Sequence, residues 1–522
     1  MIRVRQIKIK VEDDSKELLL KKVEKKLNLK NNKILDYKIS KQSIDARIKN
    51  EIFYVYEVDV TLENENIKLD NDILKVENEE YSYPQKGGKL LNNRPVIVGC
   101  GPSGLFSAYL LAKMGYNPII IERGSSVDKR LEDVKTFWET GKLNTNSNIQ
   151  FGEGGAGTFS DGKLNTLIKD TNNRMKYVFE TFISFGAPNE ILYSNKPHIG
   201  TDILVKVVKN MREEIKKLGG EFYFDTCLTD INIKENKIDS IVLNGKDTIK
   251  TDVLILAIGH SSRDTFKMLY DKKINMEPKG FAVGFRVIHN QDMINESQYG
   301  KYSRLLPPAN YKVTYKSSNG RGVYSFCMCP GGYVVNASSE EKRLVINGMS
   351  YSKRDSSTAN SGIIVTVNPR DFGTNPLDGI KFQESLEEKT YNLANGKIPI
   401  QLLGDFIDNK KSTTLGNVVP NIKGSYELSN LNGLLPSEVE DSFKESFDFF
   451  GKKIKGFNNS DTILAGIEAR TSSPLRIIRN DNFESSIEGI YPCGEGCGYA
   501  GGITSAAIDG LKVAEKIIEK YK

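Results

Sequence analysis

A glycine-rich segment near residue 100 carries the chain's clearest chemical signal. Gly99, Gly101 and Gly104 follow a short apolar run and precede a segment with helical spacing. The first glycine makes a tight turn, the second lets a pyrophosphate approach the backbone, and the third lets the helix pack close to the strand. Glu122, at the end of the next apolar run, can accept hydrogen bonds from both ribose hydroxyls. The spacing predicts a dinucleotide site.

A second glycine-rich turn stands near the C-terminus, in the segment PCGEGCGYAGG at 492–502. A simple NAD-binding domain needs nothing from the far end of a chain. FAD is longer, and its isoalloxazine ring has to be held well away from its pyrophosphate. Two such distant turns therefore favour FAD over NAD.

Three segments resemble the FAD contacts of the glutathione-reductase-type flavoprotein fold. They are IVGCGPSG at 97–104, ILAIGHSSRD at 255–264 and YPCGEGCGYAGGITSA at 491–506. Five more make the chain similar to the family of uncharacterised FAD-dependent dehydrogenases, or NAD(P)/FAD-dependent oxidoreductases. They are SIDAR at 43–47, FGEGGAGTFSDGKLNT at 151–166, HIGTD at 198–202, CMCPGG at 327–332 and EARTSSP at 468–474. The resemblance covers nearly the whole chain and implies FAD and redox chemistry without a known substrate.

The resemblance also implies roles for individual residues. Glu495 takes the place of an acidic residue that hydrogen-bonds the ribityl chain or the pyrophosphate of FAD. The backbone N–H groups of residues 501–503 face the flavin N1–C2=O edge, where donors stabilise the anionic reduced ring. Residues 154–157 pass close to the ring, and Lys163 lines the pocket. The expected FAD contacts are Gly99, Gly101, Pro102, Ser103, Gly104, Glu122, Arg123, Gly154, Gly155, Ala156, Gly157, Ser160, Gly259, Gly494, Glu495, Gly501, Gly502 and Ile503.

Four side chains are candidates for catalysis. His198 and His260, two of the 3 histidines, can each donate a proton beside the flavin, or each is a hydrogen-bonded structural imidazole. Arg470 suits a carboxylate or phosphate of a substrate, with a structural ion pair to Glu468 as the alternative. Asp161, in the glycine-rich loop after residue 150, is expected in the same pocket.

Four of the 6 cysteines form two close pairs, Cys327 with Cys329 and Cys493 with Cys497. Their spacing matches neither the pairs of pyridine-nucleotide disulfide reductases nor a zinc site, so we predict no metal. Ordinary buried thiols are the alternative to a redox role. Because no second G-x-G-x-x-G follows a strand, we expect no dedicated NAD(P)H domain. NAD(P)H would then act as a diffusible reductant, or a protein would donate the electrons.

Apolar runs and turn residues outline the elements that must position these side chains. Strands are predicted at 95–99, 117–122 and 246–259, with a helix through 105–114. Segment 265–460 is rich in Tyr, Val and Thr between turns, which predicts a sheet-rich insert. The expected fold is α/β: a split Rossmann-like FAD domain with an inserted substrate domain and a small N-terminal α+β domain. The predicted domains are 1–85, 92–264, 265–461 and 462–522.

Positive charge is concentrated at the N-terminus. Residues 1–50 hold 15 Lys and Arg against 7 Asp and Glu, although the whole chain carries a formal charge of only +6. Such a segment can bind nucleic acid or an acidic partner, or its lysines coat a solvated helix face. No apolar run approaches the length of a membrane-spanning helix, and the opening MIRVRQIKIK alternates as a strand does. With so few cysteines, we expect a reducing, cytoplasmic compartment.

The sequence thus predicts an FAD-dependent oxidoreductase that transfers a hydride between a small organic substrate and flavin N5. Two alternatives stay open. One is an RNA-directed flavoenzyme that docks nucleic acid through residues 1–85. The other is a flavin-based redox sensor that binds a partner. Fold analogy names neither the substrate nor the electron donor.

Overall fold

The computed structural model describes residues 1–29, 33–77 and 80–522. The N-terminal elements are β1 (Ile2–Lys10), α1 (Lys16–Leu27), β2 (Ile34–Asp45), β3 (Phe53–Leu62) and β4 (Ile73–Lys75). The next are β5 (Val96–Val98), α2 (Pro102–Lys113), β6 (Ile119–Ile121), α3 (Val127–Thr140), α4 (Arg174–Ser184), α5 (Thr201–Lys217), β7 (Glu221–Tyr223), β8 (Leu228–Lys234), β9 (Lys237–Leu243), β10 (Asp247–Lys250), β11 (Leu254–Leu256) and α6 (Arg263–Asp271).

The second half of the chain contains more strands than helices. Its elements are β12 (Met276–Pro278), β13 (Phe281–Asn290), α7 (Gln291–Tyr299), β14 (Thr314–Lys316), β15 (Gly322–Cys329), β16 (Tyr333–Asn336), β17 (Ile346–Met349), β18 (Thr358–Val367), α8 (Pro369–Phe372), α9 (Asp378–Leu393), β19 (Ile398–Leu402), α10 (Leu403–Ile407), β20 (Ile422–Lys423), β21 (Tyr426–Leu428), α11 (Ser437–Lys453), β22 (Ile463–Glu468), β23 (Leu475–Ile477), β24 (Ile490–Pro492) and α12 (Ile503–Lys520).

The N-terminal region is a four-stranded antiparallel sheet in the order β2-β3-β1-β4, with α1 packed on it. Its acidic residues neutralise its basic ones: Arg3 lies 2.7 Å from Asp59, and Lys26 lies 2.7 Å from Asp72. Residues 1–85 hold 17 Lys and Arg and 17 Asp and Glu. The excess of positive charge over residues 1–50 is therefore balanced within residues 1–85.

A five-stranded parallel sheet carries the glycine-rich turns, in the order β24-β11-β5-β6-β7. β5, β6 and β11 are short runs of Val, Ile and Leu that are buried on both faces, as expected where helices cover a parallel sheet. Helices α2 and α12 pack against each other in the core beside this sheet. The predicted α/β class is confirmed, with a parallel sheet among several sheets.

Residues 228–250 form a three-stranded antiparallel sheet, β10-β9-β8, for which the apolar pattern gave no signal. The strand predicted at 246–259 is in fact two strands, β10 in this small sheet and β11 in the parallel sheet. Between them, the Asp252 carboxylate accepts hydrogen bonds from the backbone N–H groups of Asn92 and Asn93. A break made by such a distant contact leaves no local sequence pattern.

A seven-stranded mixed sheet, β14-β15-β18-β13-β22-β19-β21, forms most of the predicted insert. Strands β13 and β18 are buried along almost their whole length, and α11 presents Phe443, Phe447 and Phe450 to the core beneath them. β22 begins at Ile463, past the predicted boundary at 461, yet it pairs with β13 and β19. No helix among the described residues has both the length and the apolar composition needed to cross a membrane.

Candidate functional site

A cavity of about 380 Å³ lies where β5 and β11 end, with residues of the seven-stranded sheet on its opposite wall. This is the edge of a parallel sheet where ligands usually bind. Most of the predicted site residues line it. They are Gly99, Gly101, Pro102, Ser103, Glu122, Arg123, Gly155, Ala156, Gly157, Ser160, Asp161, Gly259, His260, Arg470, Glu495, Gly501, Gly502 and Ile503.

The glycines of this cavity leave the space that FAD needs. A Cβ atom added at Gly259, Gly501 or Gly502 would meet no heavy atom within 4 Å, so these positions open into empty volume. Helix α2 begins at Pro102 and α12 begins at Ile503, and both first residues line the cavity. Two helix N-termini supply free N–H groups and partial positive charge for an anionic ligand. The donor set therefore fits FAD.

Gly99 forces the turn at the end of β5. Its φ of 104° lies in the region that favours glycine, and an added Cβ would lie 2.1 Å from the Ala257 carbonyl oxygen. Gly104 allows the close approach of α2, because its Cβ would lie 1.9 Å from the Gly99 carbonyl oxygen. Gly104 thus packs behind the cavity wall and does not line the cavity itself.

Three other predicted residues also lie behind the lining. Gly494 faces the Ser103 hydroxyl, and Gly154 faces Thr158. His198 lies beneath the glycine-rich loop, where its Nε2 is 3.2 Å from the Ser352 carbonyl oxygen. These residues do not line the cavity. Close packing against the backbone explains why small or hydrogen-bonding residues occur at these positions.

The Glu122 carboxylate mainly accepts hydrogen bonds from backbone N–H groups, which the sequence did not predict. Its carboxylate accepts hydrogen bonds from the N–H groups of Cys100 at 2.8 Å and of Gly124 and Gly152 at 2.9 Å. Three of about four acceptor positions are thereby used. One acceptor position is left, so we expect Glu122 to accept a hydrogen bond from one ribose hydroxyl instead of from both. The same carboxylate joins the first glycine turn to the later glycine-rich loop.

The glycine-rich loop is shaped by Arg130, which sequence reasoning missed. Its fully buried guanidinium donates hydrogen bonds to backbone carbonyls between residues 148 and 155, among them Asn148 at 2.8 Å and Glu153 at 2.7 Å. Burial lowers the pKa of Arg130 to about 10, which leaves it charged at neutral pH. No local pattern marks an arginine on α3 as the support of a loop that begins twenty residues later.

His260 lines the cavity, and its Nε2 lies 2.9 Å from the Arg470 carbonyl oxygen. A carbonyl oxygen only accepts, so Nε2 carries the proton. Burial lowers the pKa of His260 to about 4, and the ring is therefore neutral at pH 7. A neutral ring with its proton committed to a carbonyl cannot act as the proton donor that the sequence suggested. Nδ1 remains free to accept one.

The Arg470 side chain pairs with Glu387 and not with Glu468, the partner that the sequence suggested. Its guanidinium binds the Glu387 carboxylate at 2.7 and 2.8 Å and the Ser339 hydroxyl at 2.6 Å. Glu468 pairs instead with Arg286, at 2.6 Å. The expected ion pair between Arg470 and Glu468 is therefore wrong, because their side chains join two separate buried networks.

Asp161 is buried against the cavity wall and is bound by Arg354 and the Ser350 hydroxyl. Lys163 lies 3.7 Å from the same carboxylate. Burial alone would raise the pKa of Asp161, but Lys163 and Arg354 outweigh it and lower the pKa. Asp161 is thus ionised and fully engaged, which favours a positioning role over proton transfer.

The cysteine pairs differ in their access to the cavity. Cys493 and Cys497 are fully buried, whereas Cys327 lines the cavity and Cys329 lies behind it. A register shift in the pairing of β15 with β18 falls at this point, and Cys327 has a φ of 42°. Such a bulge re-aims side chains. The sequence pattern predicts neither the bulge nor the part of the cavity wall that Cys327 forms.

Cys327 is expected to react with iodoacetamide at least tenfold faster than Cys227 at pH 6.5 in protein stripped of FAD. The neighbouring Cys329 side chain, with the charges of Lys163 and Arg286, lowers the pKa of Cys327, whereas burial raises the pKa of Cys227. Both are half-buried and line the cavity. Peptide mass spectrometry over time measures both rates. Equal rates, or no slowing at Cys327 in Cys329→Ala, would contradict this assignment.

FAD affinity is expected to fall as the pH rises from 6 to 8. Burial raises the pKa of Glu495 to about 7, so its carboxyl group is neutral in acid and becomes a buried anion in base. A negative charge there opposes the binding of a pyrophosphate. Fluorescence titration with FAD measures the change, expected at several-fold in the wild type and absent in Glu495→Gln. A pH profile unchanged by that substitution would remove Glu495 from the site.

No group of three or more His, Cys, Asp or Glu able to hold a metal occurs within 1–29, 33–77 and 80–522.

Several residues that line the cavity were not predicted from the sequence. They are Gln150, Thr226, Cys227, Phe326, Asn347 and Thr471. Phe326, Asn347 and Thr471 lie on or beside the seven-stranded sheet, so only the tertiary fold brings them to the glycine turns.

Comparison with known proteins finds relatives over parts and over the whole of the chain. A family model described as "FAD-dependent protein, C-terminal domain-like" matches residues 280–471, and a domain of unknown function matches residues 1–61. An uncharacterised protein of Clostridium beijerinckii is 50% identical over 531 residues, covering 100% of this chain and 99% of its own.

Solved structures match the chain only loosely. Glycine oxidase from Bacillus cereus is 12% identical, with 83% of this chain and 98% of that chain covered, at a TM-score of 0.35. L-proline dehydrogenase from P. horikoshii is 15% identical, with 83% and 93% covered, at a TM-score of 0.33. Likenesses this weak carry no functional weight. The chain belongs to one family with the Clostridium beijerinckii protein over its full length, and the family model over residues 280–471 shows that it is an FAD-dependent protein.

Proposed function

We propose that the chain is an FAD-dependent oxidoreductase that transfers a hydride between a small organic substrate and flavin N5. The main support is the convergence of two helix N-termini, those of α2 and α12, on one cavity whose far wall belongs to a separate sheet. One N-terminus suits a pyrophosphate and the other suits negative charge on a reduced ring. Bound FAD supplies an N5 atom that accepts or returns a hydride.

His260 favours substrate oxidation. Oxidation of a C–H bond next to an O–H or N–H group removes a hydride and a proton together, so a proton acceptor must lie beside the cavity. The neutral ring of His260, with Nε2 donating to the Arg470 carbonyl oxygen, offers Nδ1 for that purpose. Arg470 holds the ring through its backbone, while its side chain is fixed by Glu387. Arg470 is thus a positioning residue.

An anaerobic titration tests this proposal. The visible absorbance of the purified protein, near about 450 nm for oxidised flavin, is followed as NADH and NADPH are added separately. Rapid bleaching by one nucleotide supports a reductase with direct access to its flavin. If neither bleaches the band, candidate organic substrates are added in their place, and bleaching by one of them supports a dehydrogenase. Failure of every donor, or absence of flavin after reconstitution with FAD, contradicts the proposal.

A further inference from the structure

A second cavity, of about 910 Å³, adjoins the first and shares Lys163 and Asn165 with it. Its other charged lining residues are Lys196, Lys312, Arg354 and Lys453. Among the described residues, no aspartate or glutamate lines it. A concave wall with five cations and no anion produces a strong positive potential, because low-dielectric walls focus the field.

Few carboxylates lie close enough to neutralise these positive charges. Asp161 serves both Arg354 and Lys163. Lys196 donates to the amide oxygen of Asn310, which carries no charge. Burial lowers the pKa of Lys196, and repulsion from Lys163 and Arg354 lowers it further, as expected for crowded cations.

The outer cations are also unpaired. Lys453 lies over the Phe449 ring at 5.3 Å, and Lys312 is exposed. In the part of the chain that the structure describes, no carboxylate forms a salt bridge with Lys196, Lys312 or Lys453. The wall therefore keeps about four uncompensated positive charges, counting Asp161 against the five.

We propose that this basic cavity binds the anionic end of the substrate, an organic molecule that bears two or more carboxylate or phosphate groups. The inference rests on the proposed oxidoreductase function and adds the substrate's chemical class. Asn165 and Lys163 line both cavities, so the two cavities adjoin at these residues. Charged groups held in the basic cavity would leave the rest of the molecule to extend past these residues toward His260. The cations thereby select anions and orient them before reaction.

Isothermal titration of FAD-loaded protein with citrate and, separately, with inorganic pyrophosphate tests the site at low ionic strength. Bound FAD keeps its own pyrophosphate site filled. The double variant Lys196→Gln/Lys312→Gln is expected to raise the Kd of the tighter probe at least tenfold. The control Lys246→Gln/Lys267→Gln removes the same charge from exposed positions outside the cavity and is expected to change the Kd less than twofold. Flavin content and thermal midpoint verify that both variants fold.

The tighter probe also tells whether carboxylates or phosphates are preferred. A Kd that is equal in both double variants, or no binding of either probe to the wild type, overturns the site. Binding needs no turnover, so the two proposals fail separately. Anion binding that depends on the cavity lysines, in a protein whose flavin no donor reduces, leaves the site standing and removes the oxidoreductase. Flavin reduction without anion binding supports the oxidoreductase and removes the anion site.

Discussion

Gly101→Val is expected to keep the fold and to lose at least nine-tenths of the bound FAD. Gly101 has φ −80° and ψ −174°, extended backbone that valine adopts without strain. Its added Cβ would have Gly155 Cα, at 3.7 Å, as its nearest neighbour. The extra methyl groups therefore project into the cavity between the first turn and the glycine-rich loop, where a pyrophosphate must approach the backbone. Absorbance near about 450 nm per mole of desalted protein measures retention.

Gly88→Val is the matched control. Gly88 is exposed, lies outside the cavity and has no heavy atom within 4 Å of an added Cβ, so this variant is expected to keep full flavin content. Gly104 would be a poor choice, because its added Cβ collides with the Gly99 carbonyl and would disrupt the fold first. Full flavin content in a folded Gly101→Val protein would show that the cofactor lies elsewhere.

Local sequence was sufficient to predict the wall of the cavity that the glycine turns form. The strand before Gly99, the helix after it and the acid at Glu122 follow short-range rules of apolar runs, glycine turns and helix starts. Each of these features acts within about 25 residues, and the parallel sheet then brings successive strand ends to one edge. The N-terminus of α12 joins them because β24 is also a strand of that sheet.

The opposite half could not be predicted, because its contacts join residues far apart in the chain. Arg470, for example, binds Glu387 from α9, which lies 83 residues earlier in the chain. Cys327 reaches the cavity through a bulge. None of these contacts leaves a periodic pattern. The basic cavity shows the same limit, since its lysines are scattered over almost 300 positions and are brought together only by the folded sheet.

Glu387→Gln is expected to destabilise the protein by about 3–5 kcal/mol, the usual cost of removing one partner from a buried ion pair. Glu387 is fully buried on α9 and binds Arg263 at 2.7 and 3.0 Å and Arg470 at 2.7 and 2.8 Å. The amide would leave two buried guanidinium groups facing a single shared carboxylate, that of Glu340, with which both already form ion pairs. The thermal midpoint, followed by circular dichroism, is expected to fall by several degrees.

Glu388→Gln supplies the control on the next residue. Its carboxylate is half exposed and pairs with Arg343 at 3.1 Å, and such surface pairs contribute about 0–1 kcal/mol. The thermal midpoint of this variant is expected to stay close to that of the wild type. A shift as large as that of Glu387→Gln would mean that burial does not separate the two glutamates.

The loss caused by Glu387→Gln is also expected to depend on pH. Burial alone would raise the pKa of Glu387, but Arg263 and Arg470 outweigh it and lower the pKa from 4.5 to about 2. A folded-state pKa below the unfolded value gives stability that is present above about pH 4.5 and is lost as the pH falls toward 2, by about 3 kcal/mol in all. The midpoints of the wild type and the variant should therefore move closer together as the pH falls from 5 to 3. A difference that stays constant over that interval would mean that the carboxylate's charge is not what the two arginines require.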